Sequence, residues 1–521
     1  MEQVSAYPFV KTLKRRQLEI GFVSLPVTIS LVIVVILATR LLVKKLNEAY
    51  GSTLRHVPGP WHAKFTDIVL RYHNVVGDKY HWLTAMHKKY GPYVRIAPDE
   101  VAICDPAAVK KVHGLGTDFR KRRLPGQALN IFSMSEPRAH RARQRFYVNA
   151  FSNDKIKASH LPAVRDLCRI FIDNVREDAS NSPTHSADLY KWCMLFGYDV
   201  AWEVVYGNAA TRGVMARRGT IDEVMMGCYI QLQNAWLRFS YPTFVIARFL
   251  IPVIPSLRYT FDVFGWYQHY KDLAEEGERQ SKIAARTTFV QGAQFDEKDG
   301  KYQLEGGLRM SQYDIAHDIT TFLGAGGEPI GATLVYLIYT VLRDPTLRKE
   351  IEDEANRLQE PFTDVQVEEQ CPVLDGTIYE ALRLFGGGLT CLPRWAPTAQ
   401  QLGPYTIPPE TCVSSHIHQL HRNPAVWEDP ERFDPRRWMK PGQSKALQTD
   451  KFQPFSSGAR GCIAIHLVMT ELRLFVATFF RELPGLSLGP SVTEKSMRIL
   501  DRLHFAPVSK SLEVVLPESK S

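Results

Sequence analysis

Cysteine is scarce for the length, eight in 521 residues, and no two of them form a Cys-x-x-Cys pair. That excludes a disulfide framework and a zinc module and points the folded part to a reducing compartment. Basic runs interleaved with aromatics are missing as well. The net charge of +9 therefore favours acidic partners or anionic membrane surfaces, and nucleic acid is not indicated. There is no internal repeat and no low-complexity tract. One stretch alone is apolar enough to cross a bilayer: Ile20 to Thr39 holds 20 residues without a charge, close to the ~20 that a spanning helix needs. No small-x-small cleavage site closes it, and Arg40, Lys44 and Lys45 follow, so it reads as a membrane anchor and not as a cleaved leader. Lys14, Arg15 and Arg16 precede it, and with basic residues at both ends the positive-inside rule does not set the orientation.

What remains is ordinary globular sequence, 45% hydrophobic and 23% charged, with enough apolar residues for a sizeable core. Val57-Pro58-Gly59-Pro60-Trp61 fixes φ at two positions and bars a helix from continuing, which makes a stiff exit from the membrane. Residues 62 to 110 mix helix with short strands at Tyr93 to Ile96 and Val101 to Ile103. Residues 135 to 385 are dominated by helical patterns broken by loops such as Gln291 to Gly307. Short strands and turns follow, and a last helix begins near Ile465. The fold class is mainly α with a minor β part. The division is residues 1–45 as the anchor (helix about 20–39), 46–61 as linker and proline-rich hinge, and 62–521 as the folded domain.

Three patterns carry chemistry. Phe455-Ser-Ser-Gly458-Ala-Arg460-Gly461-Cys462 presents one thiol in a glycine-punctuated loop. Glycines let the backbone approach a flat ligand, Arg460 can pair with a carboxylate on it, and metal coordination deprotonates Cys462. A single axial thiolate on iron is the haem arrangement that favours O–O cleavage. Glu380 and Arg383 lie three apart on one helix face. The same spacing at Glu276/Arg279 and Glu354/Arg357 reads as solvated surface pairs, whereas Glu380 has apolar neighbours in Ile378, Ala381, Leu382, Leu384 and Phe385. Ser311 starts a helical pattern that runs to about Arg343, ~45 Å long. Within it stands Gly324-Ala325-Gly326-Gly327-Glu328-Pro329, where the proline lacks an N–H and crowds the Ala325 carbonyl. His416 and His418 are placed on one strand face with His421 nearby; without a suitably spaced third ligand they read as strand and turn residues.

These segments, in this order, resemble the cytochrome P450 family over residues 57 to 510. The thiol loop is similar to the family's Phe-x-x-Gly-x-Arg-x-Cys-x-Gly haem loop, with Ala464 for the last glycine, which implies heme b with Cys462 as axial ligand and Phe455, Gly458 and Arg460 around it. The Glu-x-x-Arg helix of the family is closed by an arginine that here is Arg437, in Phe433-Asp-Pro435-Arg436-Arg437, giving a buried structural triad of Glu380, Arg383 and Arg437. His421-Arg422-Asn423-Pro424 matches its His-Arg-x-Pro stretch. Gly326, Gly327, Glu328 and Pro329 fall on the oxygen-activation segment, with proline where threonine is expected. The helix opening is kept and the proton-delivering hydroxyl is lost, leaving Glu328, ordered water or a substrate hydroxyl to relay protons. His140 stands where many members carry tryptophan on the propionate-binding helix. Gln144 occupies the usual basic position there, so Arg143 or Arg145 substitutes, and Arg394 matches another propionate ligand.

The resemblance implies a mostly helical domain with haem between the long helix and the Cys462 loop. It implies a fungal-type microsomal monooxygenase acting on a small lipophilic molecule in secondary-metabolite biosynthesis. Electrons would come from a separate NADPH-cytochrome P450 reductase, with cytochrome b5 and membrane lipid as further partners, on the endoplasmic reticulum membrane, single-pass, with the catalytic domain cytosolic. The lost hydroxyl favours a rival class, oxidative coupling, ring closure or isomerisation; a non-catalytic haem-binding protein is the third reading. Pocket segments by resemblance are 124–134, 228–241, 322–326, 389–392 and 503–505. The stripe Arg138, Arg141 and Arg145 is either solvated or a docking patch for an acidic flavoprotein.

Overall fold

Ser311 decides where the central element begins. Its hydroxyl accepts the Asp314 N–H at 3.2 Å while the Asp314 carboxylate accepts the Ser311 N–H at 3.0 Å, a capping box that satisfies two otherwise orphaned donors. The central helix then runs Gln312–Leu342, one residue inside the expected end. The structure, a computed structural model, describes residues 9–121, 129–207, 213–221, 253, 294–296, 301–303, 309–386, 391–440, 442, 445–502 and 504–517. Although apolar enough to span a membrane, the central helix is mostly buried in protein.

Its main partner is the Leu189–Tyr206 helix. The two backbones meet through glycines: a Cβ on Gly197 would lie 2.6 Å from the Gly327 carbonyl, and one on Gly331 would lie 2.7 Å from Met194 Sδ. Gly327 thus serves a close helix crossing. Helical structure continues through Pro329 without a break, and the Thr333 hydroxyl donates to the Pro329 carbonyl at 2.7 Å.

A four-stranded sheet of Tyr93–Ala97, Glu100–Ile103, Cys412–His416 and Cys391–Trp395, in that order, flanks the helices. The Arg95 N–H donates to Pro58 O at 2.7 Å, and its guanidinium reaches Ala49 O at 3.2 Å and Pro98 O at 2.6 Å. The proline hinge is therefore docked on the sheet. A Cβ on Gly59 would come within 2.3 Å of Arg95 O. The N-terminal helix is longer than the expected 20–39, spanning Phe9–Tyr50; its apolar residues from Val27 to Val43 are exposed on every side.

Three expectations change. Within Gln291 to Gly307, expected as loop, Gln294–Asp296 and Lys301–Gln303 are strands that pair with Arg309–Ser311. His418 does not share a strand face with His416: the strand ends at His416 and Ile417–Leu420 is a helical turn. His416 stacks on His87, and His418 packs tilted against Phe505. Glu354 is no surface residue either, being 5% exposed. Its carboxylate accepts the Val373 N–H at 3.1 Å and the Leu374 N–H at 2.9 Å. It caps the Pro372–Phe385 helix, whose own N-cap, Cys371, makes no side-chain cap bond; chain-local spacing could not show a cap supplied from another helix. Glu276 and Arg279 lie outside the described residues.

Removing that cap has a direct cost. Glu354→Ala should lower stability by about 1–3 kcal/mol, the desolvation penalty of the stranded N–H groups, with Glu354→Gln losing less. The midpoint of denaturant unfolding measures it, and an unchanged midpoint in the alanine variant would contradict the capping role.

Candidate active site

Glu380 and Arg383 are fully buried on the Pro372–Phe385 helix. Arg383 grips the carboxylate with two prongs, Nε to Oε2 at 2.9 Å and Nη2 to Oε1 at 2.8 Å. Arg437 Nε adds 3.1 Å to Oε1, so the structure brings the three expected residues together. Two further donors complete the set: the Asp434 N–H at 3.0 Å and Trp438 Nε1 at 2.9 Å. The spare Arg383 donors hold the carbonyls of His421 and Pro430, each at 2.7 Å.

His421 carries the connection onward. Its Nε2 accepts the Gln453 N–H at 3.1 Å, which leaves the proton on Nδ1 to donate to Arg383 O at 3.1 Å. Burial pushes its pKa down to about 3, keeping the ring neutral for this double role. From Gln453 the chain turns into the thiol loop, where the Gln453 carbonyl accepts the Ser456 N–H at 3.0 Å and the Phe455 carbonyl accepts the Cys462 N–H at 3.0 Å. Gly458 has φ +68 and a Cβ there would lie 2.1 Å from His113 O, so glycine is required by the backbone and by a neighbouring helix end. A Cβ on Gly461 would lie 2.5 Å from the end of the Gln448 side chain and 3.3 Å from Gly458 O.

Of the six cysteines whose side chains are described, Cys462 is exposed, while Cys104, Cys168, Cys193, Cys371 and Cys412 are buried. Its Sγ accepts the Ala464 N–H at 3.4 Å and it stands just before the Ile465–Glu482 helix, whose N-terminal dipole favours negative charge. Burial nevertheless pushes the unligated thiol up to about 11, so a metal would have to displace the proton. The thiol is accessible although protein atoms crowd around it. Ala325, mid-way along the otherwise buried central helix, is exposed too, with Thr321 and Pro329 partly accessible one turn on either side.

Cations gather around the thiol loop, and among the described residues the anion that acts on Arg460 is Glu136. Arg394 Nη2 and Arg460 Nη1 are buried with no hydrogen-bond partner among the described residues; Arg460 reaches only Ser135 O at 3.3 Å through Nη2. Burial, then the neighbouring Arg460, lowers Arg394 to about 10, and burial likewise lowers Arg460 to about 10. Burial followed by Arg460 and Lys121 pushes His140 down to about 3. Lys121 is forced well below its usual range by burial and then by Arg394 and Arg460; its ammonium donates to Phe132 O at 2.8 Å. Like charges packed this way fit a ligand with carboxylates and a flat body near the thiol, as haem propionates require.

The expectation that Arg143 meets the cofactor is corrected. Its Nε pairs with Asp318 of the central helix at 2.5 Å, and Nη2 donates to Asp314 O at 2.7 Å. Asp318 also accepts the Tyr147 hydroxyl at 2.6 Å and the Ile131 N–H at 2.7 Å. Arg145 is exposed. Lys121 takes the place in the cation cluster, and Asp318, Tyr147 and Lys121 were not singled out by sequence. The available signals were an acid at the head of an apolar helix and the run Arg120-Lys121-Arg122-Arg123. On the central helix Gly326 faces Ala201, and Glu328 is buried with Oε2 2.5 Å from Nδ1 of His504, a partner within the expected 503–505 segment. Residues 124–128, 228–241, 389–390 and 503 of the expected pocket lie outside the described residues.

Comparison with known proteins agrees with this geometry. The family model for cytochrome P450 matches residues 58–488. The methylphloroacetophenone oxidase of Cladonia uncialis is 54% identical over 389 residues, covering 75% of this chain and 86% of that protein. Cytochrome P450 monooxygenase stcB of Emericella nidulans is 32% identical over 88% of this chain and 87% of its own. The retinoic acid-bound cyanobacterial CYP120A1 structure superposes with a TM-score of 0.66 at 16% identity, over 88% of this chain and 99% of that one.

Because Glu380 is fully buried and surrounded by five donors, removing it strands two guanidiniums. Glu380→Ala and Arg383→Ala should each cost roughly 3–5 kcal/mol and abolish haem retention. Haem content after purification checks this; retention at the unmodified level in either variant would remove the triad from its structural role.

Proposed function

The chain belongs to the cytochrome P450 family, oxidoreductases whose haem b is bound through a cysteine thiolate, and on that footing we propose that Cys462 is the axial ligand of a monooxygenase acting on a small lipophilic molecule of secondary metabolism. The single observation that carries the site is the exposed Cys462 thiol beside partnerless Arg394 and Arg460 donors. Arg394, Arg460, His140 and Lys121 would hold the propionates, with Lys121 in the role expected of Arg143. Phe455 and Gly458 shape the loop, and the Ala464 N–H steadies the sulfur. The haem, when bound, supplies oxygen activation and one-electron oxidation of substrate.

The chain's own contribution on the other side is proton supply and substrate placement. Gly326 and Gly327 bring the central helix close to its partner, Pro329 removes one N–H and offers no hydroxyl, and Glu328 is the remaining carboxylate for a relay. Electrons come from a separate NADPH-cytochrome P450 reductase, with cytochrome b5 as an auxiliary donor. Residues 1–45 are the anchor, 46–61 the hinge and 62–521 the catalytic domain, held cytosolic on the endoplasmic reticulum membrane. The fully exposed apolar surface from Val27 to Val43 supports lipid as its surroundings.

Pro329 also favours a second reading, oxidative coupling or ring closure. There, two hydrogen atoms leave the substrate, a new bond forms, and no oxygen atom is added to the product. The name of the Cladonia uncialis relative, an oxidase of a polyphenolic ketone, supports a phenolic substrate whose hydroxyls can take part in proton transfer.

Three measurements test these assignments. Cys462→Ser should lose the absorption that a thiolate gives the reduced carbon monoxide complex, and its persistence would reassign the ligand. With labelled dioxygen, reductase and membranes, label in the product supports monooxygenation, and label found only in water supports coupling. Pro329→Thr should raise product formed per reduced nicotinamide on a ligand lacking hydroxyl groups; no gain would deny the proline a mechanistic effect.

A further inference from the structure

We infer that His504 is a proton-positioning residue for Glu328: its imidazole takes a proton from accessible space and hands it to the carboxylate next to Pro329. The inference rests on the reading of Glu328 as the relay carboxylate. The geometry is direct, with Nδ1 of His504 2.5 Å from Oε2 of Glu328 and side chains 13% and 9% exposed. Both groups are thus shielded, and the imidazole is the more accessible of the two. The other carboxylate oxygen, Oε1, is buried without a hydrogen-bond partner among the described residues. It is not held by backbone donors, so the carboxyl remains free to pass a proton on to water or to a substrate hydroxyl.

His504 stands on a braced support. It opens the His504–Pro507 strand, which pairs antiparallel with Ile499–Arg502, Arg502 opposite His504. The hairpin is tied down by the Asp501 N–H to Gly77 O at 2.7 Å and by His81 Nε2 at 3.0 Å from Ile499 O. The next residue, Phe505, is buried against Tyr80 and His418, with ring centroids 5.2 and 4.4 Å away. The imidazole is therefore presented to the central helix from a fixed base.

Histidine differs from lysine or arginine as a partner for a carboxylate because it can accept a proton at one ring nitrogen and release one from the other. The balance is simple. A solvent proton, carried as hydronium and leaving water behind, bonds to Nε2, the Nδ1 proton goes to Oε2, and the imidazole is left as the Nε2 tautomer, which resets by exchange with water with no net gain or loss of protons. No bond to carbon changes and no electron moves. This supplies by way of the hairpin what the absent hydroxyl at Pro329 cannot. The competing explanation is a plain strap between hairpin and helix.

The strap and the relay separate in four variants: His504→Gln, which keeps a donor toward Glu328, His504→Arg, which sets a permanent positive charge beside it, Glu328→Gln, and His504→Gln with Glu328→Gln. Neither replacement at 504 can shuttle a proton. Melting followed by circular dichroism and KM should stay close to the unmodified protein for both 504 variants. Product per reduced nicotinamide should fall on the order of ten-fold, below the roughly 10²-fold that a positioned acid–base group can supply, with a larger solvent deuterium isotope effect. The double variant should be no worse than Glu328→Gln alone. If both 504 variants keep the product ratio and isotope effect while Glu328→Gln lowers the ratio, the inference fails and the role of Glu328 stands. If Glu328→Gln is also without effect, the relay reading fails and takes this one with it. Should His504→Gln melt early, the arginine variant decides.

Discussion

The Glu380 carboxylate is the constraint on which the surroundings of Cys462 depend. It is shut off from solvent and takes five donors, from Arg383, Arg437, Trp438 and the Asp434 backbone. A carboxylate so placed is tolerable only because every lone pair is used. The consequence is positional. Arg383 holds the backbone at 421 and 430, His421 holds Gln453, and the thiol loop starts there. A second tie runs in parallel: Asp375, one turn earlier on the same helix, binds Arg473 of the Ile465–Glu482 helix at 2.9 Å. The loop bearing Cys462 is thus fixed at both ends to one helix, which is what an axial ligand needs if its sulfur is not to wander.

The opposite wall is set by contact without charge. Glycine at 197, 327 and 331 lets two helices cross closer than any side chain would allow, and that crossing dictates which way the remaining residues of the central helix point. Glu328 is turned to the hairpin and Ala325 to open space. At the head of the same helix Asp318 gathers Arg143, Tyr147 and the Ile131 N–H. Lys121 and Arg460 bind the carbonyls of Phe132 and Ser135. Residues 129–135 are therefore held by the central helix on one side and by the cation cluster on the other. Binding an anionic cofactor edge would relieve the repulsion within that cluster and stiffen this segment with it.

How much of this was legible follows from the range of each contact. The central helix was readable to within a residue because its capping box is local; Glu380 and Arg383 were readable because they are three apart amid apolar neighbours, and Arg437 came only through the family resemblance of Phe433-Asp-Pro435-Arg436-Arg437. Glu354 has the same i, i+3 spacing as Glu380, and that spacing cannot distinguish a surface pair from a cap donated to another helix 19 residues on. Arg143 was misplaced for a similar reason: a basic residue on the right helix has two directions to point, and Asp318, 175 residues away, chooses between them. Lys121 lies in the basic run Arg120-Lys121-Arg122-Arg123 and His504 in the expected 503–505 segment, but neither position says what the side chain meets; the partners come only from what the fold brings beside them.

Proline at 329 makes sense against this background of fixed partners. A threonine there would place a proton donor inside the helix itself, close to the reacting centre. Its absence leaves Glu328 as the one acidic side chain at that turn, and a carboxylate buried beside the helix needs a countercharge or a donor. A permanent cation would satisfy the charge and hold the proton tightly, whereas an imidazole satisfies it and can still let the proton go. The pairing with His504 therefore keeps a proton route open while making it indirect, through the hairpin wall of the pocket and dependent on what occupies the space beside Glu328. A substrate with its own hydroxyl shortens that route, and one without it does not. On the proposed relay, proline at 329 would weaken indiscriminate oxygen chemistry and tie efficient turnover to the functional groups of the substrate.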